Sequence, residues 1–161
     1  YPRPEHPMKA DMVERLLDLC EVPGVKLANN GLLLAYAEMV ERLGQGRTAW
    51  LCGTAGWWMP AYWSVGAARG MSTGIGNAFP DLPLNMLKQL NDGSFERDNT
   101  YWTMVRIEQI RLREKSYVAL VVKHLQELVG LAGGMNGDGS ELPDEVKAEV
   151  EALARGAGWL G

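Results

Sequence analysis

Short apolar runs alternate with amphipathic stretches through the first half of the chain. Apolar residues that recur at three- and four-residue steps predict helices, and short continuous apolar runs closed by Asn or Gly predict buried strands. The predicted elements, in order, are a helix over residues 10–20, a strand over 22–27, a helix over 32–43, a strand over 48–52, a helix over 60–67, a strand over 70–75 and a helix over 81–90.

Strand and helix repeats of this length predict parallel strands joined by right-handed helical crossovers. Ligands in such folds gather at the carboxyl ends of the strands. The strand pattern ends at Gly93. Residues 98–130 have helical spacing, but the spacing does not fix where one helix ends and the next begins. Pro143 and Gly156 lie at the start and the end of a last predicted helix. We therefore expect an α/β part over residues 1–93 and helices over residues 94–161.

Composition narrows the class of protein. The 161 residues are 47% hydrophobic and 22% charged, which is typical of a globular domain with a real core. The 16 basic and 20 acidic side chains give a net charge of −4, and no basic stretch suggests a nucleic-acid surface. The apolar stretches fall far short of the roughly 20 residues of a membrane-spanning helix, so no membrane partner is expected. Cys20 and Cys52 lie in separate predicted elements, which favours a reduced, cytoplasmic chain.

Lys26 and Tyr1 are the candidates for chemistry. Lys26 is the only charged residue within residues 22–28 and lies near the end of a strand predicted to be buried. Burial lowers the pKa of an amine, and a neutral amine attacks carbonyl carbons. The alternative, a strand-end lysine that reaches solvent, stays open on this segment alone. Tyr1 begins a Tyr-x-x-Pro sequence, and a phenol at a strand end can relay protons. Taken alone, an N-terminal tyrosine is far more often a mobile end.

Metal and nucleotide sites are not expected. His6 and His124 are far apart and have no His or Cys partner at metal-ligand spacing. The glycine-rich run over residues 70–77 lacks the third glycine of a dinucleotide fingerprint, because Phe79 occupies that place. Glycines in a strand more often indicate close approach of the backbone to a ligand or a neighbour.

A set of motifs, read in order, carries a resemblance to a known family. The motifs are Tyr1-x-x-Pro4, Val22-Pro-Gly-Val-Lys26, Leu51-Cys-Gly53 and Gly70-Met-Ser-Thr-Gly-Ile-Gly-Asn77 followed by Pro80. The chain thus resembles the second half of the dihydrodipicolinate synthase and N-acetylneuraminate lyase family, class I pyruvate-type aldolases on a (β/α)8 barrel. The resemblance implies that residues 1–93 are the C-terminal half of a TIM barrel and residues 94–161 a three-helix C-terminal extension.

The resemblance also implies roles for individual residues. Lys26 would form a Schiff base with the keto carbon of a 2-oxo acid, and Tyr1 would move protons to and from the bound intermediate. Gly53 would lie in the loop at the substrate, and Ser72, where the family usually has an apolar residue, would contact the substrate's carboxylate side through its backbone. The implied activity is that of a lyase, acting by aldol cleavage, condensation or dehydration, without a separate cofactor.

Departures from the family pattern bear on the substrate. After the lysine, the synthases read roughly Asp-Ser-Ser-Gly-Asp, whereas this chain has Leu27-Ala-Asn-Asn-Gly31. In the synthases an arginine follows the tyrosine. The equivalent place in this chain is near His6, and the nearest arginine is Arg3. These differences argue against lysine biosynthesis. They favour a hydroxylated or differently charged substrate, as in sugar-acid aldolases and dehydratases, with Asn29 among the binding residues.

The resemblance has consequences for partners. The family forms dimers and tetramers, so we expect a homo-oligomer. Its first barrel strands would precede Tyr1, so the N-terminal half is expected from a preceding segment or a partner chain. Two alternatives are a non-catalytic barrel homologue or half-barrel that serves as a binding or assembly module, and a self-contained flavodoxin-like domain. The latter needs a phosphate-gripping loop that residues 1–7 do not offer.

Overall fold

The computed structural model describes residues 9–131, 133 and 137–161, without the side chain of Asn30. The chain divides into two compact units, Tyr1–Ser72 and Thr73–Gly161. The division predicted at residue 93 concerns the barrel and its extension, and it stays a prediction.

The first unit is built of alternating helices and strands. Its elements are α1 (Ala10–Leu19), β1 (Gly24–Leu27), α2 (Leu33–Leu43), β2 (Ala49–Cys52), α3 (Met59–Ser64) and β3 (Gly70–Met71). Short 3₁₀ turns at Asn30–Leu32 and Gly56–Trp58 precede α2 and α3. The order of helices and strands predicted from the periodicity is confirmed.

The third strand is much shorter than predicted. The pattern suggested a strand over residues 70–75, but only Gly70–Met71 pairs, and a 3₁₀ turn begins at Ile75. The reason is the length of the neighbouring strand: β2 ends at Cys52, whose carbonyl accepts the Ser72 N–H at 2.8 Å. Beyond Ser72, the edge of β2 offers residues 73–75 no further partner.

The strands form a parallel sheet in the order β1-β2-β3. Lys26 pairs with Leu51 and Leu27 with Cys52, and Cys52 in turn pairs with Met71. Because the strands are parallel, their carboxyl ends lie at one end of the sheet. The prediction of parallel strands with helical crossovers is therefore confirmed.

The two faces of the sheet differ in burial. Alternate residues of a strand point to opposite faces. On one face the side chains are nearly inaccessible, and together with the inner sides of α2 and α3 they form the core of this unit: Val25, Leu27, Trp50 and Cys52. On the other face Gly24 and Ala49 are exposed, and Lys26 and Leu51 are half-buried. Lys26 therefore lies on the open face.

Helix α1 leaves apolar side chains exposed. Only Val13 of this helix is buried, whereas Met12, Leu16 and Leu19 are 62%, 44% and 80% exposed. These three residues recur at helical spacing and form a stripe along one side of the helix, called here the α1 stripe.

The second unit is helical. It contains α4 (Asp81–Asp92), α5 (Asn99–Arg111), α6 (Tyr117–Leu128) and α7 (Asp144–Gly156). Helices α5, α6 and α7 pack against one another. The long helical stretch divides between Arg111 and Tyr117, which the spacing alone did not fix. Asp98 caps α5 by accepting the Tyr101 N–H at 2.9 Å.

A buried ion pair lies within this unit. Glu108 is 2% exposed and accepts Arg111 Nη1 at 2.6 Å with both carboxylate oxygens, while Arg111 Nε donates to the Val118 carbonyl at 3.0 Å. Burial raises the pKa of Glu108, and the Arg111 guanidinium opposes that rise. The guanidinium also packs against Gly74, where a Cβ would lie 2.7 Å from Nη2.

Candidate active site

The structure brings Lys26 and Gly53 together. Lys26 is the third residue of β1, and Gly53 directly follows β2. A Cβ on Gly53 would lie 2.5 Å from Lys26 Cγ, 2.6 Å from its Cε and 3.1 Å from the Leu27 carbonyl oxygen. The lysine side chain therefore lies across the glycine. The Gly53 N–H donates to the Leu27 carbonyl at 2.7 Å and holds the two strand ends together beside the lysine.

Ser72 lies at the same end of the sheet, directly after β3, and its side chain is exposed. Its backbone N–H is already engaged in the ladder with Cys52. A ligand would therefore meet the carbonyl or the hydroxyl of Ser72 rather than its amide.

Asn29 follows β1 by two residues and is half-buried. Its Oδ1 accepts the Gly31 N–H at 3.0 Å, and its carbonyl accepts the Leu32 N–H at 3.1 Å. Asn29 thus forms the turn that leads into α2. This arrangement leaves the side-chain NH₂ as the group of Asn29 that can donate to a ligand.

Tyr1, the other predicted catalytic residue, lies outside the described residues, as do Arg3 and His6. The roles predicted for them stay predictions.

Cys52 lies behind the candidate site and is fully buried. Its Sγ is 3.7 Å from Thr54 Oγ1 and 3.8 Å from the Ala55 carbonyl oxygen. Burial raises the pKa of the thiol, while hydrogen bonds from Thr54 and then the charge of Lys26 oppose the rise. The thiol therefore stays protonated at neutral pH and is not a nucleophile.

Two buried tyrosines lie near the ends of β1 and β2. Tyr36 on α2 is 7% exposed and Tyr62 on α3 is 0% exposed, and their ring centroids are 6.3 Å apart. Burial raises the pKa of Tyr36, and hydrogen bonds from the backbone of Asn29 and Ala28 oppose that rise. Burial raises the pKa of Tyr62 to about 12. The sequence pattern indicates no role for either tyrosine at the site, because burial beside the strand ends is visible only in the fold.

The loop after β2 is strained. Ala55 has a φ of +97°, a conformation that favours glycine, and it is the only non-glycine residue with positive φ in the part of the chain that the structure describes. Trp57 and Trp58 follow in the same loop with ring centroids 4.7 Å apart. Backbone strain of this kind clusters at functional sites.

The donor set at this end of the sheet is an amine, an amide and hydroxyls. Within residues 9–131, 133 and 137–161, no group of three or more His, Cys, Asp or Glu side chains could hold a metal ion. Among the described helices, none has both the length and the apolar character needed to cross a membrane. The arrangement suits the binding of a carbonyl compound whose carbon is attacked by the lysine amine.

Solved structures similar to the chain include dihydrodipicolinate synthases and a related protein. The Oceanobacillus iheyensis synthase matches with a TM-score of 0.81 and 24% identity, covering 94% of this chain and 51% of that one. The Bacillus clausii synthase matches with a TM-score of 0.80 and 28% identity, covering 97% and 53%. YagE from E. coli K12, a prophage protein of the dihydrodipicolinic acid synthase family solved with pyruvate, matches with a TM-score of 0.75 and 21% identity, covering 95% and 52%.

These matches confirm the predicted fold. The α/β part with its three parallel strands, together with the helices, aligns to roughly half of a TIM barrel, and the chain spans about half the length of the structures it matches. No curated protein matches the chain significantly. The model of the dihydrodipicolinate synthetase family matches residues 1–151. The chain belongs to the dihydrodipicolinate synthetase family.

Proposed function

We propose that the chain supplies the reacting lysine of a lyase that acts on a 2-oxo acid through a Schiff base. The observation that carries the proposal is the Lys26 side chain lying across Gly53 at the carboxyl ends of β1 and β2. Family membership supports it, and YagE, which shares the fold, was solved in complex with pyruvate.

The chemistry follows from the amine. The Lys26 Nζ attacks the keto carbon of the 2-oxo acid, and loss of one water leaves an iminium. The iminium accepts the electron pair when the C3–C4 bond breaks in a retro-aldol reaction, and an enamine forms. In a dehydration, the iminium accepts the electron pair of the C3–H bond when the C3 proton leaves. The C4 hydroxyl then leaves as water. Tyr1 is proposed to carry the proton to or from the C4 oxygen.

The substrate is proposed to carry hydroxyl groups beyond its pyruvate portion. The amide NH₂ of Asn29 can donate to a hydroxyl, and the carbonyl and hydroxyl of Ser72 can accept from one. Such neutral groups suit a sugar-acid type of 2-oxo acid better than one with a second carboxylate, which arginine binds well.

The site is proposed to be completed by an N-terminal half-barrel from a preceding segment or a partner chain. The exposure of Gly24 and Ala49 on the face that bears Lys26, and the coverage of about half of each matched structure, support this. In this arrangement residues 1–93 form the second half of the barrel and residues 94–161 the helical extension. We further propose a cytoplasmic homo-oligomer, a dimer or tetramer, and the unpaired Cys20 and Cys52 suit a reducing compartment.

Trapping with borohydride tests the proposal. The gene product, assembled with any N-terminal half, is incubated with pyruvate and sodium borohydride, and peptides are analysed by mass spectrometry. We expect a reduced pyruvate adduct on Lys26. Lys26→Arg should abolish it, because a guanidinium does not form the imine. The matched control is Lys88→Arg, at a lysine whose side chain is 77% exposed on α4, and it should leave the adduct unchanged.

The second candidate is a non-catalytic barrel homologue that binds or assembles. The serine at position 72, where an apolar residue is usual in the family, favours it. Two results together would establish this candidate over the lyase: no adduct forms on Lys26, and none of several 2-oxo acids raises the melting temperature. A bound ligand at 100 times its dissociation constant should add about 2.7 kcal/mol to the free energy of unfolding.

A further inference from the structure

Two long side chains on the open face of the sheet fill the space that three glycines leave free. Lys26 lies across Gly53, as described above. Leu51 covers the other two glycines: a Cβ on Gly70 would lie 2.7 Å from Leu51 Cδ2, and a Cβ on Gly24 would lie 3.7 Å from Leu51 Cδ1. The leucine thus reaches from β2 towards both neighbouring strands, with one methyl group on each side.

Leu51 is also the direct neighbour of Lys26 in the sheet. The two residues pair in register, so their side chains leave the same face of adjacent strands. Because one methyl group of Leu51 lies beside Gly24, the leucine occupies the space next to Lys26 on the side of the amino ends of the strands. Gly53 lies two residues beyond Leu51 and carries no side chain. The lysine therefore runs towards the carboxyl ends.

Gly70 supplies room for this leucine. Its backbone does not adopt a positive φ, so the conformation alone does not require a glycine. A Cβ at this position would overlap the end of the Leu51 side chain. The glycine-rich run over residues 70–77 predicted a close approach of the backbone to a ligand or a neighbour, and at Gly70 the neighbour is Leu51.

We propose that Leu51 is a positioning residue that fills the space beside Gly24 and Gly70 and so directs the Lys26 amine across Gly53 to the carboxyl ends of the strands. This inference rests on the proposed function. Leu51 acts through the lysine, since an alkyl side chain has no group that reacts with a 2-oxo acid. It therefore affects how fast the amine attacks the keto carbon, rather than how tightly the acid is bound.

The test compares pyruvate trapping on Lys26 in the assembled parent protein and in its Leu51→Ala, Leu51→Met and Val40→Ala variants. Borohydride is in excess, so that imine formation limits the rate, and mass spectrometry gives the maximal rate and the half-saturating concentration of pyruvate. Thermal unfolding is measured on the same samples. Val40 is the matched control, because it is 1% exposed on α2 and its truncation loosens the core while Leu51 stays in place.

We expect Leu51→Ala to lower the maximal rate at least about tenfold, because a displacement of about 1 Å can slow a reaction on the order of a hundredfold. The half-saturating concentration should stay near the parent value. Leu51→Met should restore the rate, since methionine is apolar and of similar volume. Val40→Ala should lower the melting temperature but trap pyruvate like the parent.

Gly70→Ala tests the shared space directly. The added methyl group meets the flexible end of the Leu51 side chain, so the leucine moves and the fold persists. Gly70→Ala alone should therefore slow trapping. Combined with Leu51→Ala, it should cause no further loss, because the methyl group then has no leucine to displace, and the two effects are not additive.

Three results would each overturn the role of Leu51 while trapping by the parent upholds the proposed function. They are a parent-like rate in Leu51→Ala, an equal loss of rate in Val40→Ala, and additive effects of Leu51→Ala and Gly70→Ala. If the parent protein traps no pyruvate on Lys26, the proposed function fails, and the inference fails with it.

Discussion

At the scale of single residues, the candidate site depends on the absence of a side chain at position 53. A methyl group there would overlap the Lys26 side chain at Cγ and Cε, and the nearby Leu27 carbonyl leaves the backbone little room to move away. The Lys26 side chain therefore occupies the space that a side chain at position 53 would need. Each constrains what the other position can hold.

Gly53→Ala should displace the Lys26 amine and slow pyruvate trapping at least tenfold. The overpacking should also destabilise the fold by roughly 1–3 kcal/mol. Trapping rate and thermal unfolding check these effects. Gly46→Ala is the control, because a Cβ at Gly46 meets nothing within 4 Å, and it should leave both quantities near the parent values. Equal trapping rates in the two variants would contradict the match between Lys26 and Gly53.

At the scale of elements, the periodicity predicted the order of helices and strands because each element carries its apolar residues at the spacing of a helix or a strand. It did not predict the end of β3, which depends on where β2 stops, nor the division between Arg111 and Tyr117. The contact of the Lys26 side chain with Gly53 likewise joins two segments that are distant in sequence. The motifs suggested both residues, but only the fold shows that they touch.

Helix α5 carries a prediction about pH. Burial raises the pKa of Glu108 in the folded protein above its ordinary value of 4.5, so the folded state binds the proton more tightly than the unfolded state. The contribution of Glu108 to stability is therefore greatest at and below pH 4.5 and declines as the pH rises through the folded-state pKa.

Glu108→Gln, which cannot titrate, should remove this trend. Chemical denaturation of the parent and the variant across that pH range gives the difference in their free energies of unfolding. As the pH rises, the free energy of unfolding of the parent should fall relative to that of the variant. Glu149→Gln is the control, because Arg113 lowers the pKa of Glu149, and a lowered pKa gives the opposite trend, with stability lost as the pH falls. A constant difference for Glu108→Gln would show that burial does not perturb this carboxyl.

At the scale of the whole molecule, the proposed barrel explains the exposure of the α1 stripe. In a closed barrel each outer helix has a neighbour on both sides, and α1 would meet the last helix of the N-terminal half along Met12, Leu16 and Leu19. Exposed stripes of this kind are typical of surfaces that another element covers.

Leu16→Lys should therefore weaken assembly with the N-terminal half, because covering the stripe would then bury an unpaired charge. The matched control is Leu84→Lys on α4, where the leucine is 61% exposed and belongs to the other compact unit. We expect Leu16→Lys to lower the melting temperature of the assembled protein and to reduce pyruvate trapping in parallel, while Leu84→Lys changes neither. If both variants assemble and react like the parent, the α1 stripe faces solvent in the complete protein, and the N-terminal half must close the barrel without it.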